Sequence, residues 1–157
     1  MCIRDSDALL TNQMPHSPQA EQAVLGSMLI DPRCIPNVVE QLTGEAFYLK
    51  PNRDIYETIY TMFSFSATID PVTVLDQMKL RGVYDENTTS NYLLQLMEIT
   101  PTAANVSEYI RIVKDKALLR RISETAGELT TLVQEGCLLY TSPSPRDLST
   151  SRMPSSA

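Results

Sequence analysis

Apolar residues recur at intervals of three and four along most of the chain, and sustained alternation with period two is absent, so the pattern predicts helices and no strands. The run SPQAEQAVLGSMLIDP opens with Ser17 as a cap, Pro18 at the first helical position and Glu21 in the first turn. Ala20, Val24 and Met28, with Leu25 and Leu29 beside them, give its apolar face, and Asp31-Pro32 ends it. A short second helix is predicted over 36–42, carrying Val38, Val39 and Leu42 after Ile35, with Gly44 just past its last turn. Residues 45–48 read as a single turn. Over 52–64, Ile55, Ile59, Met62 and Phe63 share one side, with Tyr56 and Tyr60 as an adjacent stripe. Asp70-Pro71 repeats the cap-then-proline signature, and Val74, Leu75 and Met78 lead to Gly82, a residue suited to a left-handed terminator. After the polar loop VYDENTTSN, Tyr92, Leu93, Leu96 and Met97 mark one more helix that Thr100-Pro101 closes.

The next segment differs in scale. From Asn105 to Glu135 there is no proline, and Gly127 is the single weak point, which predicts roughly 30 residues and about 45 Å of helix. Val106, Ile110, Val113, Ala117, Ile122, Leu129 and Val133 approximate a seam of threes and fours, widened by Leu118 and Leu132. Such a stripe calls for a partner, either a following helix or another subunit.

Composition narrows the chemistry. The 157 residues are 43% hydrophobic, one domain's worth of chain with enough apolar side chains for a core. With 13 basic and 19 acidic side chains the net charge is −6, the wrong sign for gripping a phosphate backbone. No apolar run is long enough to span a bilayer and no leader-like start is present, so a cytoplasmic location with no membrane association is expected. The five glycines form neither a GxxxxGK[ST] nor a GxGxxG arrangement, and a single histidine cannot supply a multi-histidine metal site.

The two ends stand apart. A DNA element that encodes Met1–Ser6 also encodes, on its opposite strand, Cys137–Thr141, a relation that a sequencing-library adapter explains and a fold does not require. Residues 1–6 are therefore expected to be an adapter-like, disordered leader and residues 137–157 an adapter-like, disordered tail, with the gene continuing past Gly136. Without Arg4, Arg146, Arg152, Asp5 and Asp147, residues 7–136 keep 10 basic and 17 acidic side chains. Cys34 is then the lone cysteine, which removes any disulfide framework.

Candidate chemistry is sparse. His16 has no second histidine or acidic cluster beside it and reads as a solvent-exposed or capping residue. Cys34 reads as a small structural cysteine near a helix start, because a nucleophile would need a base from elsewhere in the fold. Arg111, Lys114, Lys116, Arg120 and Arg121 form the one dense basic segment. Glu108 and Asp115 interleave with it, so a solvated face is the first reading and partner docking the functional one. Tyr56 and Tyr60 read as core-edge residues, since acidic surroundings disfavour a base-stacking platform. Glu21, Glu40, Glu45 and Glu57 are too scattered to define a carboxylate pair.

Four segments in order, MPHSPQAEQAVLGSMLIDP, EAFYLKPNRDIYETI, IDPVTVLDQMKLRG and ITPTAANVSEYIRIVKDKALLRRI, resemble the amino-terminal domain of the DnaB-type bacterial and phage replicative DNA helicases over about residues 13–136. The resemblance implies an all-α fold: a small multi-helix orthogonal head over 7–104, then the first long helix of a helical hairpin over 105–136. It implies that the hairpin's second arm, a linker helix and a RecA-like motor lie outside this sequence. ATP and magnesium belong to that motor, as do the DNA contacts, so no catalytic, cofactor-binding or metal residue carries over and the chain alone is expected to be inactive as an ATP hydrolase. It further implies a collar on a hexameric ring of helicase subunits, with an oligomer seam of Val106, Ile110, Val113, Ala117 and Ile122, and docking of primase in primosome assembly during DNA replication. The other reading is a stand-alone helical adaptor associated with a replicative helicase.

Overall fold

The computed structural model describes residues 14–141, and side chains through residue 136. The expected leader 1–6, the first residues of the head and the tail from residue 142 lie outside the described residues. Six α-helices and no strand are found among the described residues: α1 Pro18–Ile30, α2 Ile35–Gln41, α3 Lys50–Ser64, α4 Pro71–Arg81, α5 Thr89–Ile99 and α6 Val106–Thr141. Short 3-10 turns at Pro32–Cys34, Gly44–Ala46 and Ala103–Asn105 join them. The chain divides into two compact units, one ending at Arg120 and the other starting at Arg121.

The core of the first unit forms around α1. The pattern predicts one apolar face for this helix, yet Ala20, Glu21, Ala23 and Val24 through Leu29 are all buried, as befits a helix covered on every side. Helices α2, α3 and α5 pack against it, and α4 packs on α3 and α5. Phe47, Ile55, Ile59, Leu93 and Leu96 complete the interior with Val24, Leu25 and Met28.

Local chemistry explains where these helices start and stop. Ser17 Oγ accepts the Ala20 N–H, and Pro18 occupies a position whose N–H has no helical partner. Asp70 caps α4 by accepting from the Val72 and Thr73 N–H groups, while Thr73 Oγ1 accepts the Asp70 N–H in return. Gly82 ends α4 with φ of 74°, a left-handed conformation that needs no Cβ strain from glycine. Gly26 serves a different purpose: a Cβ there would fall within hard contact of the Leu96 carbonyl oxygen and of Thr100 Oγ1, so its bare backbone lets α1 and α5 approach closely.

Two boundaries differ from the sequence pattern by more than one residue. Helix α3 starts at Lys50 rather than Asn52, with Pro51 in its first turn. Helix α6 runs to Thr141 rather than stopping at Gly136, so residues 137–141, expected as the start of a disordered tail, are helical. No proline intervenes before Pro143, and a glycine in an exposed helix interior weakens the helix by about 1 kcal/mol without ending it.

Candidate functional site

The long helix was expected to present its apolar stripe outward, and its first part does not. Val106, Ile110 and Val113 are buried in the core of the first unit, and Ala117 is half-buried against that core. Three of the five residues assigned to an oligomer seam are thus covered within the chain itself, because residues 106–113 roof the interior built on α1. Ile122 differs, with 57% of its surface exposed. Further along the second unit Leu129, Leu132 and Val133 are also exposed, and at the end of the first unit so are Leu118 and Leu119.

The basic run divides in the same way. Arg111 is exposed and pairs with Glu108 at 2.8 Å, a hydrogen-bonded contact that raises its already high pKa. Lys114 and Arg121 are exposed and Lys116 half-buried. Arg120, placed by the sequence in the docking run, is only 6% exposed. Its Nη1 donates to the Pro15 carbonyl at 2.8 Å, its Nη2 donates to the Ala46 carbonyl, and its guanidinium lies 5.5 Å from the Tyr48 ring centre. A planar cation with several donors can satisfy two carbonyls and an aromatic face together, which a lysine cannot. The partners lie up to 105 positions away, so no local pattern marks Arg120 as different from Arg121.

His16 stacks on the same tyrosine, ring centres 4.3 Å apart, and its Nδ1 meets the Met14 carbonyl at 2.8 Å. It is half-buried and structural in its contacts rather than a cap.

Glu21 has the least expected role. Read from sequence it is one first-turn acid among several; in the fold it is 1% exposed. Its carboxylate accepts the Tyr48 N–H at 2.8 Å, the Leu49 N–H at 3.3 Å and the Asn52 Nδ2 at 2.9 Å. Leu49 immediately precedes α3 and its own side chain makes no capping bond, so Glu21 caps α3 from α1. The network continues outward: Tyr92 Oη donates to Asn52 Oδ1 and accepts from Gln22 Nε2 at 3.2 Å. Burial raises the Tyr92 phenol, against the pull of its bond with Gln22. The available signal was an acid set within an apolar run, beside Ala20, Val24 and Leu25.

Burial pushes the Cys34 thiol up to about 11, with the Asp31 carboxylate adding to the effect, so it stays protonated at neutral pH. Asp31 itself is lowered by its hydrogen bonds with Arg33. Tyr56 is buried, donates to the Leu42 carbonyl at 2.6 Å and is pushed up to about 12, chiefly by burial. Tyr60 stays largely exposed beside it, so the pair sits at the edge of the core. Among the described residues no group of three or more His, Cys, Asp or Glu side chains is placed to hold a metal ion. No described helix is long and apolar enough to cross a membrane.

The geometry is thus that of a packed helical unit and a long helix with exposed apolar side chains, and comparison with known proteins agrees. Residues 13–115 match the family model for the DnaB-like helicase N terminal domain. The replicative DNA helicase DnaB of Leifsonia xyli subsp. xyli (strain CTCB07) is 36% identical over 118 residues, 75% of this chain and 26% of that protein. The counterpart in Mycobacterium leprae (strain TN) is 37% identical over 124 residues, 79% of this chain and 20% of that protein. The chain therefore spans about a quarter or less of the length of these relatives. Among solved structures, the N-terminal domain of DnaB helicase from Mycobacterium tuberculosis superposes with a TM-score of 0.76 at 34% identity, over 80% of this chain and 89% of that one. The N-terminal domain of DnaB helicase from Helicobacter pylori, described with its interactions with primase, shares the fold with a TM-score of 0.64 at 18% identity, over 74% of this chain and 90% of that one. The chain belongs to the DnaB-like helicase N-terminal domain family.

Proposed function

We propose that this chain serves as the collar of a replicative helicase, associating with other subunits through α6 and docking primase during primosome assembly in the cytoplasm. The observation that carries this reading is the exposure of Ile122, Leu129, Leu132 and Val133 on one helix, large apolar side chains whose burial stabilises by about 1.5–3 kcal/mol each before association costs. Lys114 and Arg121 are each exposed, and each offers a cation to a protein partner. The Helicobacter pylori domain, described with primase interactions, supports the choice of that partner. On this reading ATP, magnesium and DNA are handled by regions outside this sequence, and purified chain is expected to release no phosphate from ATP.

Sedimentation of the chain over a concentration range, beside capture of purified primase, tests both halves. Ile122→Asp is expected to weaken self-association while the circular dichroism spectrum stays helical. Ile110→Asp is expected instead to unfold the first unit, because it places a charge in the core. Combined Lys114→Ala and Arg121→Ala changes are expected to reduce primase capture. Association unaltered by Ile122→Asp would remove the collar assignment, and capture unaltered by the double change would remove the docking role of these two cations.

A further inference from the structure

A cleft of about 390 Å³ opens in the first unit between α2, the Gly44–Ala46 turn and α3. Its walls are apolar and aromatic: Val39, Leu42, Tyr56 and the 47% exposed ring of Tyr60. Glu45 and Glu57 line it as well, and no basic side chain does. Gly44 leaves room for one of these carboxylates, since a Cβ there would stand 3.1 Å from Glu57 Oε1. The other oxygen, Oε2, receives Arg81 Nη2 at 3.3 Å, so this carboxylate already takes one guanidinium through its second oxygen. Arg81 does not depend on that contact, because its Nη1 also donates to Thr58 Oγ1 at 2.8 Å.

We propose that this cleft docks an arginine side chain presented by another polypeptide, an interaction distinct from the α6 surfaces and independent of the collar reading. Charge complementarity selects a cation, as residues 7–136 carry 17 acidic against 10 basic side chains and the cleft holds acids alone. The flat aromatic wall selects guanidinium over ammonium. A guanidinium stacks on the Tyr60 face while its edge donates to Glu57 Oε1 and Glu45, whereas a hydrated ammonium gains less from the ring and donates in no fixed plane.

Nuclear magnetic resonance titration of the isotopically labelled chain with the peptide acetyl-Gly-Arg-Gly-amide tests this, beside the same peptide carrying citrulline or lysine. Saturable shifts are expected at the amides of Gly44, Glu45, Glu57 and Tyr60, with citrulline, isosteric and uncharged, at least about tenfold weaker and lysine weaker than arginine. Glu57→Gln and Tyr60→Ala are each expected to weaken the arginine peptide severalfold, and Tyr60→Phe to leave it bound. Should Tyr60→Ala lose its dispersed spectrum, Glu57→Gln and Tyr60→Phe decide the matter. Absence of saturable shifts, an equal response to citrulline or lysine, or binding that survives Glu57→Gln overturns the proposal.

Discussion

Gly26 shows how one missing methyl group sets a helix spacing. Alanine is worth about 1 kcal/mol over glycine in an open helix. Here its Cβ would fall well inside van der Waals contact of the Leu96 carbonyl oxygen and of Thr100 Oγ1. A backbone carbonyl cannot rotate aside, so overpacking of about 1–3 kcal/mol opposes the helical gain and exceeds it. Gly26→Ala is expected to lower the melting temperature by several degrees in a thermal circular dichroism scan, and a rise would contradict the close approach. Cys34 offers a second test. With its thiol raised from 9.0 to about 11, it holds on the order of a hundredfold less thiolate than an ordinary thiol at pH 8. Peptide-resolved alkylation is expected to be slow in the folded protein, to rise only as the pH nears 11, and to become fast in urea. Equal rates with and without urea would count against burial as the cause. Cys34 was legible from sequence as an inert thiol, whereas Gly26 was not: its constraint comes from α5, some 70 positions later, and a glycine in a helical run looks the same whether it faces solvent or a neighbour.

Helix ends were the most legible elements wherever the chemistry is local. Ser17-Pro18, Asp31-Pro32, Asp70-Pro71 and Gly82 each act within a few residues of themselves and mark the boundaries observed. Asp70→Ala is expected to cost about 1 kcal/mol, read as a lower urea midpoint with an unchanged slope. Because Asp70 and Thr73 bond reciprocally, Thr73→Ala is expected to add less in the Asp70→Ala background than alone. The start of α3 is harder to place: Pro51 hints at it locally, but the carboxylate that caps it comes from α1 and no Ser, Thr, Asp or Asn precedes it as a cap. Residues 137–141, expected to start a disordered tail, continue the helix instead, since no proline interrupts the chain before Pro143.

At the scale of the whole molecule, four ordered segments were enough to indicate the family, since their spacing is far more specific than any single motif. Which face of α6 remains free was not legible. A repeat of threes and fours is the same whether it meets its own core or another chain, and here Val106, Ile110 and Val113 meet the core while Ile122 and Leu129 do not. Hydrogen exchange along this one helix is expected to follow that division, with amides over 110–117 protected at least about tenfold more than those over 123–135. Uniform protection would mean that the helix opens as one unit regardless of burial. The cap that Glu21 provides ties two helix ends together. Because the carboxylate that receives the Tyr48 and Leu49 N–H groups sits 27 and 28 residues upstream, the N–H groups leading into α3 find their native acceptor only when α1 has docked. The entry to α3 is therefore completed by a tertiary contact, so loosening α1 is bound to fray the start of α3 as well.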